Sequence, residues 1–256
     1  MRDRKLEGVA LESLRNQALQ QVIDRHLVLR FLQASKEGAS DQDVDFALAK
    51  LVRQLQAKET KLPDHLKTLG LSQQELRQEL RWKITWSRYV DAHLTDENLR
   101  KYFEKHRRDF DGTQLRIAHI LLKVEPPGDA TAGEKVIARA AALREQIVSG
   151  KLTFAAAAQA NSQAPTADRG GDIGLIRRHE PMPEEFSLAS FALEKGEVSP
   201  PVVTSFGVHL IQVLEVMPGK KTWQECQDEL RPAVTLYLFR WIAQKQRKTS
   251  KISYTR

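Results

Sequence analysis

Leu115-Arg116-Ile117-Ala118-His119-Ile120-Leu121-Leu122 decides how the rest of the chain is read. Only Arg116 and His119 interrupt an otherwise apolar run, and the helical spacing of the preceding hundred residues stops here. A short run that is apolar on both faces and bounded by turn residues predicts a strand. His119 alternates with Ile117 and Leu121, so it shares their inward face.

Working toward the C-terminus, Glu125-Pro126-Pro127-Gly128-Asp129 predicts a loop. Thr131-Ala132-Gly133-Glu134 predicts the cap of a helix that ends at Gly150. A short helix follows from Phe154 to about Asn161. Residues 162–172, rich in Ser, Pro, Asp and Gly, predict a loop. Ile173–Ile176 predicts a strand, and residues 184–193 a helix around Phe186 and Phe191. Val202-Val203-Thr204 and Val208–Val213 predict two strands joined at Ser205-Phe206-Gly207. The order β-α-α-β-α-β-β describes a small α+β domain over residues 113–217.

Working toward the N-terminus, Asp109-Phe110-Asp111-Gly112 reads as a linker. Before it the periodicity is helical throughout. Leu11, Leu14, Ala18, Val22, Leu29 and Leu32 form one stripe, widened by Ile23 and Leu27, and Lys36-Glu37-Gly38 ends that helix. Ser40 with Asp43, and Ser72 with Glu75, look like capping boxes. The first opens a helix with Val44, Ala47, Leu48, Leu51 and Leu55 on one face. Between the two, Leu62-Pro63-Asp64 starts a short helix that Gly70 closes. Ser72 opens a long helix whose stripe is Leu76, Leu80, Lys83, Ile84, Ser87 and Val90, with Trp82, Trp86 and Tyr89 to one side. Thr95 caps one more helix, running to about His106.

After Pro218-Gly219 the chain returns to helix. Leu230, Val234, Leu238, Trp241 and Ile242 need a partner face, and the N-terminal helices are the nearest candidate. The expected organisation is therefore a helical domain over residues 1–110. The α+β domain is inserted after it, and a C-terminal helix with a basic tail over residues 220–256 packs back on the first.

The charge follows the same division. Residues 113–217 hold 10 Lys+Arg against 12 Asp+Glu, a net of −2, whereas the other residues hold 30 against 21, a net of +9. The excess positive charge reads as the solvated surface of the flanking helices, with no nucleic-acid recognition motif beside it. No apolar run approaches the ~18 residues that span a bilayer. No apolar segment follows Met1-Arg2-Asp3-Arg4-Lys5. The expectation is a cytoplasmic protein, or a periplasmic or cell-envelope one if the chain has been trimmed. The one cysteine, Cys226, excludes an internal disulfide. His26, His65, His93, His106 and His179 show no metal-ligand spacing, and no cofactor or metal is expected.

Four segments resemble the parvulin family when taken in order. They are Ile117-Ala118-His119-Ile120-Leu121, then Gly170-Gly171-Asp172-Ile173-Gly174. Next comes Phe186 with Ala189-Ser190-Phe191-Ala192-Leu193 and Gly196-Glu197-Val198-Ser199, and last Pro201-Val202-Val203-Thr204 with Gly207-Val208-His209. The helical flanks resemble the SurA and PrsA group of bacterial folding factors. Their helices from both chain ends form a chaperone domain around or beside the parvulin unit.

The resemblance implies a four-stranded antiparallel sheet with helices, inserted in an all-α chaperone-like domain. It implies peptidyl-prolyl cis-trans isomerisation on unfolded or proline-containing polypeptide clients. Met182, Phe186 and Ile173 match the proline-pocket positions and should be partly open to ligand. His119 and His209 match the paired histidines, and Thr204 their hydroxyl partner. Two positions depart from the pattern. Ala164 stands where the family carries cysteine or aspartate, with Ser162 and Asp168 as alternative polar groups. Pro183 stands where many members have glutamine. The loop Val124–Gly133 lacks Arg and Lys, which implies no requirement for phosphorylated substrates. Ala164 favours the alternative function, a binding-only chaperone that grips chains without turning them over.

Overall fold

The structure, a computed structural model, describes residues 9–35, 38–126, 129–179, 181–251 and 253, excluding the side chains of 9–14 and 17. The charged run Met1–Lys5, the helix stop at Lys36-Glu37, the loop centre Pro127-Gly128 and the end of the basic tail lie outside the described residues. So do the side chains of Leu11 and Leu14.

Two compact units emerge, residues 1–99 with 231–256, and residues 100–230. The first is helical: α1 (Val9–Gln33), α2 (Asp41–Gln56), α3 (Leu62–Leu69), α4 (Gln73–His93) and the start of α5 (Asp96–Lys105). Ser40 and Ser72 each accept a hydrogen bond from the backbone N–H three residues on, and Asp43 and Glu75 return the bond. These reciprocal contacts satisfy backbone donors that have no partner inside the helix. Gly70 ends α3 in the left-handed region.

The core of this unit differs from the expected stripes. Val28 and Leu32 of α1 are fully buried, while Val22 is 65% exposed. On α4 the buried residues are Leu76, Thr85 and Tyr89. Trp82 and Trp86 stack 5.7 Å apart and both meet Phe239 edge-on. Toward Val28 and Ile242 the core face of α4 is its aromatic side, while Leu76 of the expected line is buried as well and Lys83 and Ser87 are exposed. Three large rings bury more apolar area than the smaller aliphatic residues beside them. Ile242 and Ala243 complete the cluster from the C-terminal helix. Arg247 of that helix donates to Asp24 of α1 at 2.5 Å.

The second unit continues with α6 (Arg107–Phe110), β1 (Gln114–Leu122), α7 (Ala130–Val148), α8 (Phe154–Asn161), β2 (Asp172–Arg177), α9 (Glu184–Phe191), β3 (Val202–Thr204), β4 (Gly207–Met217) and the start of α10 (Gln227–Thr249). Its strands form one antiparallel sheet in the order β2-β1-β4-β3. Strand alternation gives the sheet two cores. Ala118, Ile120, Leu122, Val208 and Leu210 face α7 and α8. Leu115, Ile117, Ile211 and Val213 face α9.

Two local readings change. Asp129, not Thr131, caps α7, its carboxylate accepting from the Ala132 N–H at 2.9 Å. The segment read as a linker is a packed helical turn. Phe110 and Asp111 are buried. The Cys226 thiol donates to the Phe110 carbonyl at 3.2 Å, and the Lys221 N–H to the Asp111 carbonyl at 3.0 Å. A buried backbone turn of this kind is invisible to a pattern search, because its partners arrive from a hundred residues away.

Candidate functional site

The α9-facing side of the sheet carries the two histidines. β1 and β4 pair with Leu121 opposite His209, which sets His119 and His209 diagonally across the two central strands. Their Nδ1 atoms lie 3.2 Å apart. On the far side, His209 Nε2 lies 2.9 Å from the hydroxyl of Thr204, which ends β3. That hydroxyl also accepts from the Phe206 N–H at 3.1 Å. The chain Thr204–His209–His119 is satisfied with both rings neutral, in either of two tautomer directions.

Phe186 stands perpendicular to both imidazoles, with ring centroids at 5.7 Å from His119 and 5.2 Å from His209. It is fully buried. This corrects the expectation that Phe186 is open to ligand: it is the floor beneath the site, held by the histidines. Met182 and Ile173 are half-buried and pack on the same cluster. They are the members of the expected proline cup with surface to offer. Pro183 sits outside that cluster as the N-cap of α9, its carbonyl accepting from the Ser187 N–H at 2.9 Å.

Ala164 is buried in the loop after α8. The loop reaches the sheet end through two bonds to Leu121: the Gln163 N–H donates to its carbonyl at 2.8 Å, and its own N–H donates to the Ser162 hydroxyl at 3.1 Å. Ser162 is therefore occupied in holding backbone. Asp168 is exposed at the start of the turn that precedes the glycines. Ser162 thus has a role that sequence reading missed. Its partner lies 41 residues away, so no local pattern signals it.

Burial lowers the pKa of His119. His209 is pushed down to about 4, first by burial and then by the neighbouring His119. An unfolded chain takes up a proton near pH 6.5 that the native His209 refuses. Stability is therefore present in full above about 6.5, falls as pH drops toward 4, and levels off below that. We expect this group to remove roughly 2–3 kcal/mol of stability across that window. Urea unfolding between about pH 5.5 and 6.5 reads the upper part of this fall, above most of the range where carboxylates titrate. A flat profile would show that the imidazoles are solvated.

Residues 119–215 match the model of the Rotamase family, the PPIC-type PPIase domain. The chain is 40% identical over 135 residues to the chaperone SurA of Polaromonas sp. strain JS666, covering 51% of this chain and 28% of that protein. It is 31% identical over 166 residues to the foldase PrsA of Caldanaerobacter subterraneus subsp. tengcongensis, covering 64% of this chain and 46% of that protein. The matches thus span between about a quarter and a half of these relatives. Among solved structures, PrsA from Bacillus anthracis aligns with 93% of this chain and 100% of that one, at 20% identity and a TM-score of 0.44. The histidine pair and its floor thus lie within the region that matches the PPIC-type PPIase domain model.

Proposed function

We propose that the chain is a folding factor that isomerises X-Pro bonds in unfolded or partly folded polypeptides, and that its helical unit holds those clients. The observation that carries this reading is the closed Thr204–His209–His119 chain beneath a half-open apolar cup. Rotation about a peptide bond faces a barrier of about 18–20 kcal/mol, because the planar amide is conjugated. The twisted amide is less conjugated and less dipolar. Met182 and Ile173 hold the proline ring, and the dry, neutral floor offers the planar dipole poorer solvation than water. Binding is then better for the transition state than for either ground state. No covalent step is required.

The loop after β1 supports a reading without phosphate. The cleft beside Thr204, about 460 Å³, is lined by Val124, Val203 and Phe206, with Lys123 accompanied by Glu125 and Asp129. Those carboxylates oppose a phosphorylated ligand. For the helical unit, Val22, Phe46 and Trp241 supply exposed apolar surface of the kind that grips unfolded chains. We assign holding to the unit of residues 1–99 with 231–256 and isomerisation to the unit of residues 100–230, which contains the expected domain 113–217.

Exchange NMR on Ala-Pro and Leu-Pro peptides with the full chain tests the isomerase. Faster cis/trans exchange is expected, and none at high protein concentration leaves only client binding. In the same assay Ala164→Asp should raise the rate about fivefold, an effect of about 1 kcal/mol. A carboxylate near the substrate carbonyl disfavours the planar form, whose oxygen carries more negative charge. Burial at this position raises the introduced carboxyl above its ordinary range, so the gain should fade already above about pH 4 as pH falls. A neutral result would place Ala164 away from the amide.

A further inference from the structure

The segment between β2 and α9 carries Met182, and one side chain joins its two ends. Arg178 follows β2 directly and is 8% exposed. Its Nη1 and Nη2 donate to the two carboxylate oxygens of Glu184 at 2.9 and 2.8 Å. Its Nε donates to Asp109 Oδ1 at 3.2 Å, on α6. Glu184 is the first residue of α9, two positions after Met182 and two before Phe186.

We propose that Arg178 is a positioning residue for the isomerase site, setting through Glu184 the approach of Met182 and the seat of Phe186. This rests on the functional reading above, and Arg178 itself does not touch substrate. The parallel two-point contact fixes orientation as well as distance, which a point charge cannot do. Its placement argues for order over stability. The Glu184 side chain is 59% exposed, and ion pairs with one solvated partner contribute little to folding. Burying the guanidinium meanwhile carries a desolvation cost. What the contact does supply is a closed base for the segment bearing the cup, anchored to a helix outside the sheet.

Arg178→Lys keeps the charge and loses the two-point geometry. Glu184→Gln keeps the shape and loses the charge, and it carries the test if the first variant fails to fold. In the full chain each should raise KM for a Leu-Pro peptide about tenfold with kcat unchanged, because the competent cup is populated a smaller fraction of the time. The Met182 methyl NMR signal should shift or broaden in both. The double variant should be no worse than the worse single one, since both break the same contact. Unchanged KM with an unmoved Met182 signal would overturn the proposal. So would losses that merely track a falling thermal midpoint, or a fall in kcat alone. If the unaltered chain accelerates no peptide, the isomerase reading fails instead, and the Met182 signal alone decides whether Arg178 orders the cup.

Discussion

Phe186→Ala is expected to destabilise the unit of residues 100–230 by about 3–5 kcal/mol, the cost of emptying a fully buried aromatic site. The ring is wholly inaccessible and packs with Ile117, Ile211 and Val213 from the two central strands. Two edge-to-face contacts with imidazoles are lost as well. The surrounding sheet cannot collapse into the gap, because β1 and β4 are fixed by their own ladder. Water entering beside His209 would also restore part of its solvation and raise its pKa toward the ordinary value. The variant should therefore lose stability above pH 6.5 and show a shallower pH dependence below it. Urea unfolding at two pH values reads both effects. A loss under about 1 kcal/mol, with weakened peptide binding instead, would show that Phe186 faces the ligand after all.

Burial is where the sequence reading was weakest, and the reason is physical. The resemblance to parvulins brought His119, His209, Thr204, Met182 and Phe186 together as one site. It carried no information about which of these side chains another would cover. Phe186 and Met182 look equivalent in sequence, four positions apart around a helix start. One is the floor and the other is half-open, because α9 packs against β3 and β4 at Phe186 while Met182 precedes the helix.

The same limit explains α4 in the helical unit. Its aliphatic stripe and its aromatic side compete for the core at similar spacing, and only the partner surface, with Val28 and Ile242, decides for the rings. Local signals were legible where their physics is local. Ser40, Ser72 and Gly70 act within three or four residues of themselves, and their roles could be read directly. Arg178 was not legible, since its meaning depends on the fold bringing it both to Glu184 across the turn and to Asp109, 69 residues away.

Gly171→Ala should be the most disruptive small change near the site, because two independent costs meet there. The residue has φ of +83°, a conformation that costs a side-chain-bearing residue roughly 1–2 kcal/mol. Beyond that, an added Cβ would lie 2.4 Å from the His119 carbonyl oxygen and 3.2 Å from its backbone carbon and nitrogen. These are backbone atoms of a central strand, so no side chain can swing aside. The only relief is to part β2 from β1 where the Gly171 carbonyl accepts from the His119 N–H at 2.9 Å. Moving β1 there also draws His119 from His209, whose Nδ1 contact is 3.2 Å. We expect a total loss of at least about 3 kcal/mol, together with loss of isomerase activity. Gly174→Ala is the matched control. It has φ of +80° but nothing within 4 Å of the added carbon. It should show the conformational cost alone, about 1–2 kcal/mol, and keep the histidine contact. Chemical unfolding of the two variants side by side separates the terms. Equal losses would mean that the close approach of β2 to His119 contributes nothing, and that the glycine pair serves the turn rather than the site.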